Sequence, residues 1–400
     1  MRFLLLLIAF FGYSSISYSE TASSSIDSLN GEFSFSEGNS LSTQIKTEFG
    51  QIDNFYRSND DKQGTTFLEL SPELFVQTQG EDSLFQLQAK ASLFTFDKFS
   101  SDDHHDFSVL SKFHLKLAES QKIFITAFIA DNYEYRGTGL TLGKPNSLEE
   151  GDTKRNQFLN LGYLYGHQDS LARAKFLAGY RDFSYSTRKD VTKPLAYSSS
   201  YIQGNFDYLI SGNTYFTTKV QIENFEYDMN VDLERKQYLA LAGVKWRSTE
   251  LTQLQLLLGY EKAVFANETF QDEDQFAWQI KMLWAPIERF RLDFRSGSEI
   301  KDTYKIVKSV SLSNYYGLGL SYDFNEKLEF ILRGKLVYED VVSLESKIEE
   351  EHFETSIRLQ YQWRHWLSVF AQYGHNTFDS TRIMQDYDLQ TLSLGASVIF

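Results

Sequence analysis

Apolar and polar residues alternate with period 2 through about eighteen short segments of the chain, and this pattern constrains the fold more than any other feature. The last segment, residues 392–400, ends on the aromatic Phe400. In an extended strand, alternation places one set of side chains on each face. An apolar set facing lipid and a polar set facing a lumen would satisfy both surroundings, so the pattern predicts a transmembrane β-barrel.

The breaks between the segments predict the topology. Segments are joined in pairs by short turns and the pairs are separated by longer polar stretches, as when short periplasmic turns alternate with extracellular loops. The predicted turns are Gln79–Asp82, Glu119–Gln121, His167–Asp169, Ser211–Asn213, Ser248–Glu250, Ala285–Ile287, Asn325–Glu326 and Arg364–His365. The predicted loops lie near residues 58–64, 98–103, 137–154, 187–196, 228–234, 266–274, 299–307, 340–350 and 379–386. We therefore predict an all-β, antiparallel up-and-down barrel of about 18 strands, with 16 as the alternative.

The first residues predict export. Residues 1–19 combine Arg2, an apolar run too short to span a bilayer and small residues before a cleavage site after Ser19, which is typical of a signal peptide. Residues 20–40 form a polar segment that we expect in the periplasm, and residues 41–400 are expected to form the barrel. Removal of the signal peptide would leave the mature chain in the outer membrane of a Gram-negative cell envelope.

A soluble β-sandwich or propeller is the alternative all-β architecture. The segments, at about 10 to 13 residues, exceed the usual strands of globular sheets and match tilted membrane strands. Aromatic residues make up 16% of the chain, with 24 Tyr and 34 Phe. Girdles of aromatics at the membrane interfaces would use this surplus, so the membrane barrel is favoured.

Parity along the segments assigns charged side chains to the lumen, because a charge facing lipid costs about 2–4 kcal/mol at the membrane midplane. The predicted lumen cations are Lys90, Lys112, Lys116, Arg173, Lys175, Arg181, Lys219, Lys245, Arg247, Lys281, Arg289, Arg291, Arg295, Arg333, Lys335 and Arg358. The predicted lumen acids are Glu48, Glu69, Glu73, Glu223, Glu261, Asp293, Asp323, Glu329 and Glu354. Since the net charge is −15, the remaining acids must lie in loops. The sequence thus predicts a cation-rich lumen below an acidic outer rim.

Rings of Lys and Arg favour anions in a pore, so this lumen predicts a path for an anionic polymer or solute. The alternative is that the lumen charges pair with acids and only line water. The longest loop, residues 137–154, could fold inward or extend outward, and the sequence does not decide between them. Pro72 interrupts a strand because it cannot donate to the ladder, which predicts a bulge that re-aims Glu69 or Glu73.

Catalytic and metal-binding motifs were not found. The chain has no Gly-x-Ser-x-Gly elbow, no His-Glu-x-x-His, no phosphate-binding glycine loop and no cysteine. We therefore expect no enzymatic activity, no cofactor and no metal. One cluster combines His104 and His105 with Asp102, Asp103 and Asp106, and we interpret it as solvated loop residues rather than as a metal site.

The beginning of the barrel resembles a known family. Residues 49–57, followed by Asp60, Asp61 and residues 68–74, are similar to the opening of the outer-membrane β-barrel porins found with exopolysaccharide and capsule biosynthesis operons. The matching residues are Asp53, Asn54, Tyr56, Arg57 and Pro72. Residues 179–185 are similar to a later strand of that family.

This resemblance implies a channel that exports an exopolysaccharide or capsular polysaccharide together with periplasmic polysaccharide export and copolymerase proteins. A general or solute-specific diffusion porin shares every physical feature above and is the alternative. The other expected partners are outer-membrane lipid and lipopolysaccharide, and the barrel assembly machinery acting on the C-terminal strand that ends at Phe400. No nucleic acid is expected.

Overall fold

The computed structural model describes residues 39–167, 170–249, 251–268, 270–302, 309–343, 347–382 and 385–400. The predicted signal peptide and nearly all of the predicted periplasmic segment lie outside the described residues. No helix in the described part of the chain is long and apolar enough to cross a bilayer.

Eighteen strands follow one another along the chain and form one antiparallel sheet. They are β1 Ser40–Ile52, β2 Thr65–Gln79, β3 Ser83–Phe96, β4 His104–Ala118, β5 Gln121–Glu134, β6 Asp152–Tyr165, β7 Ala172–Tyr185, β8 Tyr197–Ser211, β9 Thr214–Tyr227, β10 Arg235–Thr249, β11 Thr252–Phe265, β12 Glu273–Ile287, β13 Phe290–Asp302, β14 Ser309–Asp323, β15 Leu328–Ser343, β16 Lys347–Arg364, β17 Leu367–Ser380 and β18 Tyr387–Ile399. Each strand pairs with its neighbours in sequence, and β18 pairs with β1 to close the sheet. The predicted 18-stranded up-and-down barrel is confirmed.

Both described chain ends lie at one rim, where the connections are short, and we call this the turn rim. The longer connections lie at the other rim, the loop rim. Short turns are periplasmic and longer loops extracellular in barrels of this kind. Short helical turns interrupt the loops, as at Lys189–Thr192.

Some connections differ from the sequence prediction; residues 299–302 of the predicted loop at 299–307, for example, belong to β13. The turn between β12 and β13 lies at residues 288–289 rather than 285–287, because β12 continues through Pro286 to Ile287. The predicted loop at 340–350 is mostly strand. Val341 pairs with Ile348 there, and both side chains are almost fully buried. Because this apolar pair packs, strands β15 and β16 continue into the segment that the sequence predicted as a polar loop.

The predicted bulge at Pro72 is wrong. Leu70 pairs with Leu93 and Glu73 pairs with Lys90 on β3, so the register is the same on both sides of the proline. The β2–β3 ladder omits only residues 71 and 72, while Pro72 remains paired with Ile45 on β1. A proline that lacks N–H interrupts one ladder locally, and parity alone turns Glu69 and Glu73 toward the lumen.

The two faces of the sheet differ as the alternation predicts. Outward-facing Phe49, Ile202 and Leu394 are 58%, 62% and 64% exposed, as lipid-facing side chains of an isolated barrel should be. Their neighbours Glu48 and Ser393 face inward and are buried. The polar face therefore surrounds the lumen, and the apolar face surrounds the barrel.

Strands β12 and β13 stop pairing with each other near the loop rim. Their pairing ends at Gln279 and Gly297, although β12 begins at Glu273 and β13 continues to Asp302. In contrast, β13 pairs with β14 as far as Asp302 and Val310. The barrel is thus a closed cylinder near the turn rim, and the end of β13 leaves β12 near the loop rim.

Gly259 on β11 lies where two strands approach closely. A Cβ atom at Gly259 would lie 1.9 Å from the carbonyl oxygen of Ala240, whereas a Cβ at Gly334 on β15 would have no neighbour nearer than 4.0 Å. Gly259→Ala must displace backbone, and such overpacking costs about 1–3 kcal/mol. We expect urea unfolding in lipid vesicles to show this loss for Gly259→Ala and none for Gly334→Ala. Equal effects at the two positions would contradict the close approach.

Candidate functional site

The lumen-facing residues follow from the register of the eighteen strands. Glu48 on β1 lies opposite Glu69 on β2 and Gly395 on β18, and the same parity continues around the sheet. The structure places every predicted lumen cation except Arg289 at a lumen-facing position. Arg289 lies in the β12–β13 turn and is exposed, because β13 begins one residue later than the sequence indicated. The role of these cations in transport remains a prediction.

Six basic side chains gather on the lumen wall near the turn rim, on β4, β5 and β7. We call them the turn-rim patch: Lys112, His114, Lys116, Lys122, Arg173 and Lys175. Lys116 lies directly opposite Lys122, and the charges of Lys112, Lys122 and Lys175 all act on His114. Like charges opposite one another destabilise a sheet, so this patch is kept at some cost in stability. Such a cost is expected where charge serves function.

Acids meet the turn-rim patch at its edges, and Asp207 on β8 lies directly opposite Arg173. Glu119, in the β4–β5 turn, accepts a hydrogen bond from Lys116 Nζ at 2.5 Å. This bond lowers the pKa of the Glu119 carboxyl, so the carboxyl stays ionised at neutral pH. The remainder of the patch faces the interior of the barrel.

Lumen acids concentrate nearer the loop rim, where they pair with cations. Lys46 Nζ lies 3.1 Å from Glu48 Oε2 and 2.9 Å from Glu69 Oε2, and Lys154 Nζ lies 2.7 Å from Glu134 Oε1. Lumen-facing acids that the sequence did not assign include Asp106, Glu134, Asp152, Glu273, Glu299, Glu339 and Glu350 toward the loop rim, and Asp207 nearer the turn rim. The cation excess is therefore a property of the turn rim, and the loop-rim half is mixed in charge.

Lumen-facing aromatic rings lie over glycines of neighbouring strands, and three of those that the structure describes hold a cation over the ring. We call these three the ring stacks. They are Phe124 over Gly162 with Lys175 Nζ 5.0 Å from the ring centroid, Tyr201 over Gly179 with Arg181 Cζ at 4.6 Å, and Phe370 over Gly395 with Arg358 Cζ at 4.3 Å. A cation over an aromatic face is attracted by the ring quadrupole. The rings therefore hold basic groups at fixed places on the lumen wall.

An apolar cluster lies on the inner side of the loop rim. We call it the loop-rim cluster: Ile52, Phe55, Tyr56, Phe67, Phe94, Phe96, Leu142, Phe378, Tyr387 and Leu389. Phe55 and Tyr56 come from the β1–β2 loop and Leu142 from the β5–β6 loop. The longest loop, which the sequence left open, therefore packs inward at least at Leu142.

A buried ion pair fastens this cluster. Asp102 accepts hydrogen bonds from Arg136 Nε at 3.0 Å and Tyr133 Oη at 2.6 Å, and it also pairs with Arg136 Nη2. Arg136 lies over the ring of Tyr56 at 4.6 Å. In the next loop, hydrogen bonding to Asp152 raises the pKa of Arg188. Because a buried charge is costly without its partner, these ion pairs keep the loops packed against the barrel rim.

The residues that matched a known family organise the first loop. The buried Asn54 side chain donates to the carbonyls of Ser58 and Asp388 at 2.8 and 2.7 Å, and Asp53 Oδ1 accepts from Gln390 N–H at 2.7 Å. Arg57 lies over the ring of Tyr135 at 4.3 Å. With Tyr56 in the loop-rim cluster, these contacts fasten the loop to β18, whereas Pro72 lies apart from them on β2.

The His and Asp cluster is also structural in arrangement. His104, His105 and Asp106 begin β4 rather than lying in a loop, and the His104 ring stacks on Tyr133 with centroids 4.0 Å apart. Within the described ranges, no group of three or more His, Cys, Asp or Glu is placed to hold a metal ion.

Comparisons with known proteins extend over the whole barrel. Residues 40–400 match the sequence family described as "Putative beta-barrel porin 2". No curated protein matches the chain. Similar solved structures include OpdL of Pseudomonas aeruginosa, with 11% identity, a TM-score of 0.46 and coverage of 90% of this chain and 99% of that chain. The siderophore receptor PirA of Acinetobacter baumannii has 8% identity, a TM-score of 0.44 and coverage of 90% and 80%.

Proposed function

Because this chain belongs to the "Putative beta-barrel porin 2" family of outer-membrane β-barrels, we propose that it is a channel that exports an acidic polysaccharide across the outer membrane. The channel acts without catalysis. Its periplasmic mouth receives the polymer, and its partners are the periplasmic export and copolymerase proteins that deliver it.

The turn-rim patch carries this proposal. It places Lys112, Lys122, Arg173 and Lys175 at the mouth that faces the periplasm, where an exported polymer must enter. Basic rings favour anions in pores, and a patch at the entrance raises the local concentration of an anionic chain. Beyond the patch, two of the ring stacks offer Arg181 and Arg358 along the lumen wall.

A solute-specific diffusion porin is the second candidate, and the loop-rim cluster favours it. This cluster places Phe55, Tyr56 and Leu142 on the inner side of the rim, where a small solute passes more easily than a polymer. The same cationic mouth would then select small anions. The two candidates differ in what crosses the channel rather than in the site itself.

The test is deletion of the gene in its host, with acidic polysaccharide assayed in the medium and in the periplasm. We expect loss from the medium and accumulation in the periplasm, both restored when the wild-type gene is returned on a plasmid. Unchanged secretion together with reduced uptake of small anions would reject export and favour the diffusion porin.

A further inference from the structure

The end of β13 lies inside the barrel wall. Ile300 donates its N–H to Glu261 Oε2 at 3.0 Å, and its carbonyl accepts from Gln237 Nε2 at 2.9 Å. Gln237 and Glu261 are lumen-facing residues of β10 and β11. Backbone groups that would pair with β12 in a regular barrel are thus satisfied by side chains of the inner wall.

Two residues, Asp302 and Ile300, make further contacts that hold this end in place. Asp302 forms a buried ion pair with Arg235 on β10, with Nη1 to Oδ1 at 2.9 Å, and Asp302 also accepts from Tyr227 Oη. The Ile300 side chain is 3% exposed and packs in an apolar cluster with Phe225 and Phe265. The end of β13 therefore overlaps β10 and β11 from the inside and occupies part of the lumen.

The sequence of β13 nevertheless fits the outer wall. If the pairing of Gln279 with Gly297 continued toward the loop rim, Ile300 would lie opposite Phe276, and both side chains would face lipid. Lys301 and Glu299 would then face the lumen. The alternation that places Phe290, Leu292 and Phe294 in lipid thus continues through Ile300 without a change of parity.

The point of departure is held by one serine. Ser298 Oγ accepts a hydrogen bond from Trp278 N at 3.2 Å and donates one to the carbonyl oxygen of Phe276 at 3.3 Å. The serine side chain thus replaces backbone hydrogen bonds that β13 would otherwise make with β12. In the continued register Asp302 would lie opposite Asp274, and like charges opposite one another disfavour that pairing. This repulsion explains why the inner position is occupied in the structure.

We propose that the end of β13, Ser298–Asp302, is a gate with two positions: the inner position described here, which narrows the lumen, and an outer position in which it pairs with β12. Since Asp302 pairs with Val310, which packs in the same apolar cluster, the start of β14 moves with the end of β13. Movement to the outer position exchanges the contacts of Asp302, Ile300 and Val310 with the inner wall for ladder hydrogen bonds between β13 and β12. The gate acts on whatever crosses the channel, so it does not depend on the export proposal.

The chain has no cysteine, which permits a direct test with engineered pairs. Phe276→Cys with Ile300→Cys forms a disulfide only in the outer position, because opposite residues of an antiparallel pair lie within disulfide range. In the inner position Ile300 is buried inside, while Phe276 is 59% exposed on the outer face. The matched control is Met282→Cys with Phe294→Cys, two residues that are already opposite in the ladder.

Both pairs are folded under reductant into planar bilayers and then oxidised. We expect the control pair to oxidise without a change in conductance, and the test pair to oxidise more slowly and to raise single-channel conductance until reductant is added. Asp302→Asn in the test pair should speed oxidation several-fold, because it removes the ion pair with Arg235.

Two results would overturn the gate. The first is a test pair that stays reduced, with and without Asp302→Asn, under conditions that fully oxidise the control pair. The second is a disulfide that forms but leaves conductance unchanged. Each variant is checked for folding by gel electrophoresis, because a folded barrel in an unheated sample migrates differently from the heated, unfolded chain.

Discussion

A triple variant in which Lys112, Lys122 and Lys175 are each replaced by Gln should have a weaker preference for anions. These three lie in the turn-rim patch, at the mouth where like charges are crowded. A cation within about 4 Å of a passing anion contributes roughly 1 kcal/mol in water, so loss of even one such contact changes relative permeability about fivefold. Reversal potentials in bilayers under a salt gradient measure this change.

The matched control removes the same charge elsewhere on the polar face. This control is a triple variant at positions that parity alone assigns to the lumen: Arg289→Gln, Arg291→Gln and Arg295→Gln. Arg289, however, is exposed in a turn, and Arg295 Nε lies 2.8 Å from Asp293 Oδ1. We expect a clearly smaller shift from this second set. Equal shifts would mean that total lumen charge, rather than the turn-rim patch, sets selectivity.

Asp102→Ala should release the loop-rim cluster. Asp102 is fully buried, and its loss leaves the buried guanidinium of Arg136 without its carboxylate partner. Removal of one partner of a buried ion pair costs about 3–5 kcal/mol. We expect a loss of this size in the free energy of unfolding in lipid vesicles, together with new cleavage by protease in the β5–β6 loop.

Asp388→Ala is the control for that measurement. Asp388 pairs with Lys62 at the same rim, but their side chains are 37% and 41% exposed. Exposed pairs contribute about 1 kcal/mol or less, so this variant should remain close to wild type. A similar loss in both variants would show that the buried pair has no special role in holding the loops.

The barrel itself could be predicted from alternation because side-chain direction in a strand has a fixed period of two. Once Phe290, Leu292 and Phe294 are assigned to lipid, Arg291 and Arg295 must face the lumen, and the register agrees. The same rule failed at Arg289, where the strand had not yet begun. Parity specifies the face of a residue but not the end of its strand.

Features that depend on contacts between distant strands could not be predicted. The ion pair of Arg235 with Asp302 joins β10 to β13, and nothing local in either segment indicates it. The sequence even placed Ile300 in a predicted loop, whereas the structure has it in β13. The turn-rim patch could not be predicted either. Its residues come together only because β4, β5 and β7 place them at similar distances from the turn rim, and these distances depend on the exact position of each turn.

The ring stacks have a consequence for the width of the passage. An aromatic side chain that stood upright on the wall would obstruct the bore, whereas a ring laid over Gly162, Gly179 or Gly395 takes up little more than its own thickness. A larger residue at any of these glycines would push its ring toward the axis. The glycines therefore act as recesses, and they let the barrel carry bulky side chains along its inner surface while it keeps the bore wide.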